Sequence, residues 1–388
     1  MPRAFLVQVA LQGAACDDDA LEEFGLLTES SGMTVAGTMR ARRDRPDPAY
    51  YLGSGKVEAL REEIAAAGPV DAVLIDAQLS PVQQRNLERE LGVAVLDRTG
   101  LILDIFARRA QSREGKLQVE LAQLEYLSTR LVRGWTHLER QRGGIGLRGG
   151  PGEKQIELDR RMIGVRVKQL RDKLRTLERQ RGTQRRARER GGVFRVSLVG
   201  YTNAGKSTLF NALTQAHAYC ADQLFATLDT TSRRCHIADG KSIVLSDTVG
   251  FVRALPHSLV AAFRSTLDEA VHADLLLHVV DAAGPARADQ MRNVDEVLKE
   301  IGADAVPRLI VHNKIDRVGR AAGVDRDACG RIGAVWLSAR TGEGLGLLRE
   351  AIAERMEEEA VRSARISDPA ETSAYSFHDA PDAFPDAA

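Results

Sequence analysis

Along the first hundred residues, short β-branched apolar runs alternate with stretches in which apolar residues recur every three or four positions. Phe5–Val9, Thr34–Gly37, Ala72–Ile75 and Ala94–Leu96 read as strands, and Ala20–Thr28, Val57–Ala67 and Val82–Leu91 as helices. That alternation predicts a small parallel α/β domain over residues 1–110. The period then lengthens. Leu117, Leu121, Leu124, Leu127 or Ser128, and Leu131 form one apolar stripe, and Ile156, Ile163, Val167, Leu170, Leu174 and Leu177 form another. Two stripes separated by the glycine-rich stretch Gly143–Gly152 predict an antiparallel helical hairpin over 111–190 with a non-helical tip. Gly191 marks the next boundary. From Val193 the alternation of strands and helices resumes, with strands at Val193–Val199, Ile243–Ser246, Leu275–Val280 and Leu309–Val311, so residues 191–355 read as a second α/β domain. The helix Leu345–Glu359 runs into a Ser/Asp/Ala/Pro-rich end, and 356–388 reads as an acidic, disordered tail.

Charge sharpens this division. The chain is neutral overall, with 54 Lys and Arg against 54 Asp and Glu. Between Arg130 and Arg195, however, 20 basic residues face 7 acidic ones, whereas Met356–Ala388 holds 8 acidic against 2 basic. A basic hairpin calls for an anionic partner. Arg140, Arg142, Arg148 and Lys154 surround the glycine tip and are the expected RNA contacts, since arginine-rich segments often order on binding RNA. The plainer alternative is a solvated hinge. Four scattered cysteines lack metal-ligand spacing and read as reduced thiols. No run has the roughly 18 apolar residues of a membrane helix, and no signal sequence opens the chain. A cytoplasmic protein, monomeric and without a membrane span, is expected.

The chemistry centres on Gly200, Tyr201, Thr202, Asn203, Ala204, Gly205, Lys206 and Ser207, which match G-x-x-x-x-G-K-[ST] directly after a strand. The glycines let successive N–H groups turn toward a triphosphate, Lys206 supplies a cation to the β- and γ-phosphates, and Ser207, followed by Thr208, offers a hydroxyl to Mg²⁺. The helix beginning near Lys206 adds its positive end. Asp247, Thr248, Val249 and Gly250 form D-x-x-G at a strand end, a carboxylate for the Mg²⁺ site and a glycine N–H for the γ-phosphate. Asn313, Lys314, Ile315 and Asp316 form N-K-x-D. Asp316 is suited to accept from guanine N1–H and the 2-amino group, and Lys314 to lay its stem over the base. Ser338, Ala339 and Arg340 complete the base site. Between these motifs, Phe225, Ala226, Thr227, Leu228 and Asp229 form the loop expected to sense the γ-phosphate. Thr227 is the chosen metal-sensing hydroxyl, with Thr230 and Thr231 as alternatives. Lys206, Thr227, Asp247 and Gly250 are the expected catalytic set, and Ser207 with Thr227 the expected metal ligands. The motif order indicates GTP. Tyr51–Lys56 also carries glycines before a lysine, but only Ser54 lies between Gly53 and Gly55, so a loop–helix junction is the preferred reading, with a weaker nucleotide or RNA contact as the alternative.

With those motifs in place, the chain resembles the HflX family of ribosome-associated GTPases over about residues 3–355. The resemblance rests on Tyr51–Lys56, Leu79–Glu88, Asp97–Ala107, Glu114–Gln123, the glycine loop and Phe225–Asp229. It implies binding near the peptidyl-transferase centre of the large ribosomal subunit, splitting of stalled or idle ribosomes, and ATP hydrolysis through the amino-terminal region. Two departures stand out: Thr230 occupies the place of a usual proline, and many members carry a folded carboxy-terminal domain where this sequence has its acidic end. Phe251 follows D-x-x-G where Ras-like GTPases place a water-orienting glutamine, so slow intrinsic hydrolysis is expected, rising on the ribosome. Asn203 matches the P-loop asparagine of potassium-activated GTPases, which adds K⁺ as a candidate cofactor. A GTP-dependent assembly factor for the large subunit and a non-enzymatic GTP-binding scaffold are the competing classes.

Overall fold

The structure is a computed structural model. It describes residues 1–11, 17–133, 151–189, 193–214, 224–225, 227–238, 240–253, 256 and 264–367, with side chains omitted at 131–133, 151–157, 159, 184–189, 264–266 and 363–367. The amino-terminal domain runs β1 (Arg3–Leu11), α1 (Asp18–Ser30), β2 (Thr34–Arg43), α2 (Ser54–Ala67), β3 (Ala72–Ile75), α3 (Pro81–Leu91), β4 (Ala94–Asp97) and α4 (Arg98–Arg109). Its four strands are all parallel, in the order β2-β1-β3-β4. Local chemistry sets the helix starts: Ser80 and Gln83 close a capping box ahead of Pro81, and Asp97 caps α4 through the Gly100 N–H at 2.8 Å. Tyr51–Lys56 is a loop–helix junction, with α2 starting at Ser54. Helix α4 was not expected. Arg98–Leu103, Ile105 and Phe106 are all buried, so a polar face emerges only with Asp104, Ala107 and Arg108, too late to mark a helical period over its first turns.

The hairpin pairs α5 (Arg113–Arg133) with α6 (Pro151–Glu189). Leu121, Leu170 and Leu174 form its seam, with Leu117, Leu124 and Val167 packed against them. Ser128, and not the exposed Leu127, continues the half-buried face of α5. Arg171–Glu125 at 2.7 Å and Arg181–Glu114 at 2.9 Å bridge the helices in antiparallel order. At 39 residues, α6 extends about 58 Å. It starts at Pro151 within the stretch expected to be non-helical, because proline is well tolerated in a first helical turn. Arg140, Arg142 and Arg148 lie outside the described residues, as does the side chain of Lys154.

The second α/β domain contains β5 (Phe194–Gly200), α7 (Lys206–Thr214), β6 (Thr231–Ala238), β7 (Lys241–Asp247), α8 (Arg264–Val271), β8 (Leu275–Asp281), α9 (Arg287–Ile301), β9 (Arg308–Asn313), β10 (Gly323–Arg326), β11 (Ile332–Trp336) and α10 (Leu345–Ser367). Its seven strands run β10-β11-β9-β8-β5-β7-β6, with β6 and β10 antiparallel at the edges. The last helix continues unbroken to Ser367, past the boundary expected at 355; residues 368–388 lie outside the described residues. Among the described residues no helix is long and apolar enough to cross a membrane. Cys235 is buried and Cys329 exposed, while Cys16 and Cys220 lie outside the described residues.

Each sheet buries one face within its own domain. Phe5, Val7, Leu60, Val73 and Leu87 anchor the amino-terminal layer, and Val196, Leu198, Leu209, Leu245 and Leu309 anchor the second. A third core crosses the boundary. Leu6, Phe24, Leu101 and Phe106 from the first domain and Val119 and Ala122 from α5 join Leu224, Phe225, Leu228, Phe251 and Val252. Phe106 and Phe225 meet edge to face with ring centroids 4.6 Å apart. The loops flanking the phosphate site therefore belong to the same apolar cluster as the base of the hairpin.

Candidate active site

Strand β5 ends at Gly200, and the chain then curls through Asn203, with φ +59°, and Gly205, with φ +92°, before α7 begins at Lys206. A Cβ on Gly205 would lie 2.3 Å from Asn313 Nδ2, so the approach of these two segments requires glycine. Asn313 uses that approach to tie three motifs together. Its Nδ2 donates to the Ala204 carbonyl at 2.9 Å, and its Oδ1 accepts from the Ala339 N–H at 2.9 Å. Asp316 accepts from the Ser338 hydroxyl at 2.7 Å. Lys314, with φ +67°, extends its ammonium to Asp281 at 2.7 Å, which fixes the direction of its stem.

These segments enclose a cavity of roughly 350 Å³. The P-loop contributes Thr202, Asn203 and Gly205–Thr208, the intervening loop Phe225 and Thr227, and D-x-x-G contributes Thr248 and Gly250. Asn313, Lys314, Asp316, Ser338, Ala339 and Arg340 form the base end, joined by Arg317, which the motif reading did not single out. Arg317 directly follows N-K-x-D, and adjacency is the one sequence signal it carries. Gly200, Tyr201, Ala204, Val249 and Ile315 stand behind the lining as backbone or packing. Leu228 is buried in the shared core and Asp229 faces α5, so neither side chain faces the cavity. Ala226 lies outside the described residues.

At the phosphate end three oxygens converge. Ser207 Oγ lies 2.7 Å from Thr227 Oγ1, and both hydroxyls donate to Asp247 Oδ2, at 2.7 and 2.9 Å. Adjacent ligands around an octahedral cation with bonds of about 2.1 Å stand about 3 Å apart, so this hard-oxygen triad fits Mg²⁺. The second Asp247 oxygen is buried without a hydrogen-bond partner, as is the Thr202 hydroxyl. Burial pushes the Asp247 carboxyl above the usual range, against the pull of Ser207 and Lys206. Burial also lowers the Lys206 ammonium to about 8, opposed by Asp247 and reinforced by Lys314. Lys206 Nζ donates to the carbonyls of Gly200, at 3.1 Å, and Tyr201, at 2.8 Å. A polyanion beside it favours the charged form and offsets the cost of burial.

After D-x-x-G the chain pairs with the P-loop. Thr202 N–H donates to the Phe251 carbonyl at 2.7 Å, and Phe251 N–H to the Gly200 carbonyl at 3.2 Å. The Phe251 ring is fully buried in the shared core and does not line the cavity.

A polar network that meets the P-loop at Tyr201 reaches the same backbone. Tyr201 donates its hydroxyl to Glu23 of α1 and accepts from the Arg253 N–H at 2.6 Å. Burial, then the Glu23 charge, pushes the Tyr201 phenol upward, so it remains a neutral donor. Arg98 pairs with Glu23, with Asp76 at 2.7 Å, and with the Arg253 carbonyl at 2.9 Å. Arg253 in turn pairs with Asp17.

Comparison with known proteins follows this layout. The profile described as "GTP-binding GTPase N-terminal" matches residues 18–107, "GTP-binding GTPase Middle Region" matches 109–188, and "50S ribosome-binding GTPase" matches 195–314. "GTPase HflX" of Escherichia coli strain K12 is 52% identical over 347 residues, covering 89% of this chain and 81% of that protein. The protein of the same name from Magnetococcus marinus is 49% identical over 361 residues, covering 91% and 83%. The crystal structure of SsGBP in complex with GDP matches with a TM-score of 0.52 at 26% identity, over 92% of this chain and 99% of that one.

Proposed function

The chain belongs to the HflX family of GTPases and hydrolyses GTP, and from that premise we propose that it acts on the large ribosomal subunit, using GTP to separate stalled or idle ribosomes into subunits. The observation that carries this reading is the shared core. Phe225, Leu228 and Phe251, which flank the phosphate site, pack with Val119 and Ala122 of the hairpin base. Order at the γ-phosphate is thereby coupled to the seating of a long basic stalk, whose surplus of positive charge suits ribosomal RNA. Arg140, Arg142, Arg148 and Lys154 are the proposed RNA contacts at its tip, and the cytoplasm is the proposed compartment.

Within the site, Lys206 steadies the β- and γ-phosphate charge, the P-loop N–H groups hold the phosphate oxygens, and Gly250 brings a backbone donor to the γ-phosphate. Ser207, Thr227 and Asp247 would hold Mg²⁺, which when bound neutralises charge developing on the phosphate oxygens. Asp316 selects guanine by accepting from its N1–H and 2-amino group. Phe251 supplies no hydrogen bond to a water, so intrinsic hydrolysis is slow until the ribosome completes the site. Asn203 lies exposed at the cavity rim and is the proposed ligand of a K⁺ ion; matching rates in K⁺ and Na⁺ contradict that assignment.

Sucrose-gradient sedimentation of intact ribosomes with the protein and a non-hydrolysable GTP analogue tests the proposal, with a Gly143–Gly152 deletion as control. Free subunits with the full chain and intact ribosomes with the deletion are expected. Comigration with large subunits while ribosomes stay whole would overturn splitting and favour assembly.

A further inference from the structure

We propose that Asp229 is a positioning residue for GTP hydrolysis, holding Thr227 at the metal site by anchoring its loop on the amino-terminal end of hairpin helix α5. The inference rests on GTP hydrolysis and is independent of any ribosomal role. One Asp229 oxygen accepts from the Gln111 N–H at 2.8 Å and the Ser112 N–H at 2.7 Å, and the other accepts from the Ser112 hydroxyl. Ser112 Oγ in turn accepts from the Gly115 N–H at 2.8 Å, which makes Ser112 the cap of α5. A carboxylate from another domain thus completes the amide-rich start of this helix, where unpaired N–H groups and the helix dipole favour negative charge.

Gly115 is shaped to this contact. A Cβ at that position would lie 2.2 Å from Asp229 Oδ1, so the carboxylate sits where any other side chain would begin. Glycine weakens a helix relative to alanine, and here it permits the approach. The three residues Thr227–Asp229 divide their tasks. Thr227 joins Ser207 and Asp247, Leu228 fills the shared core, and Asp229 grips α5. Leu228 and Asp229 together hold the short segment that carries Thr227, so release of Asp229 leaves it on one anchor and lets the Thr227 hydroxyl shift, and with it the arrangement that recognises a triphosphate. GDP has no γ-phosphate for this loop to enclose, so its binding does not depend on the anchor.

The test compares Asp229→Ala, Asp229→Asn and Gly115→Ala with the unmodified full chain, without ribosomes. Affinities for GDP and for a non-hydrolysable GTP analogue are measured in Mg²⁺, with amide hydrogen exchange over residues 111–115. Asp229→Ala is expected to bind the analogue about five- to tenfold more weakly, the scale of a lost helix cap, while GDP affinity stays within about twofold. Asp229→Asn, which keeps one acceptor, should recover part of the loss. Gly115→Ala should resemble Asp229→Ala although alanine favours the helix, and both should abolish the extra protection that the analogue confers on residues 111–115. Equal losses for GDP and the analogue would reduce Asp229 to a structural cap and overturn the proposal, as would unchanged analogue binding in both alanine variants.

Discussion

At the scale of single residues, the proposed guanine recognition depends on the braces around Asp316 as much as on its carboxylate. Asn313 is spent on Ala204 and Ala339, and Ser338 occupies one Asp316 oxygen. Replacing Asp316 with Asn exchanges one acceptor for a donor. It leaves guanine's 2-amino group facing an N–H, whereas xanthine presents a carbonyl there. Asp316→Asn should therefore lower GTP affinity by roughly 100-fold or more and favour xanthosine triphosphate, as read by nucleotide competition. Undiminished GTP binding would show that Asp316 does not read the base. Such residues were legible because each motif is contiguous and its spacing is imposed by the nucleotide. Glu23, Arg98 and Arg253 were not, since the Tyr201–Glu23 bond joins residues 178 positions apart. Asp229 shows the opposite limit. Its place in the loop was readable, but nothing local indicates that its carboxylate turns toward Gln111 and Ser112.

Among the elements, α4 joins the domains by both a polar and an aromatic contact. Arg98 at its first turn is buried with Glu23 and Asp76 and reaches the Arg253 carbonyl. A buried pair stripped of one partner leaves an uncompensated charge, which costs about 3–5 kcal/mol. Arg98→Leu should lower stability by about that amount in urea denaturation, and adding Glu23→Leu and Asp76→Leu should recover much of it. An unchanged midpoint in the single variant would show that the network contributes nothing. The hairpin stripe was readable because the apolar positions of the seam recur every three or four residues on each helix. Helix α4 was hidden because its first six residues are all buried and exposed positions appear only toward its end, and the second buried face of α5, with Gln118, Val119 and Ala122, was masked by the seam residues interleaved with it.

For the molecule as a whole, periodicity and motif order were sufficient to assign an α/β domain, a hairpin and a GTPase domain. They did not reveal that one core runs through all three. Domains within a chain are ordinarily joined by modest, polar interfaces; here Leu224, Phe225, Leu228 and Phe251 are buried against Phe106, Val119 and their neighbours. The hairpin base and the loops that bear Thr227 and Gly250 therefore share one packing arrangement, which is the basis for the proposal that a macromolecule seating the hairpin acts on the nucleotide site. The most direct measurement is steady-state GTP turnover with and without large ribosomal subunits, for the full chain and for the Gly143–Gly152 deletion. The account predicts slow turnover alone, marked acceleration of the full chain by large subunits, and little acceleration of the deletion. Equal turnover of the full chain in the presence and absence of large subunits would contradict it.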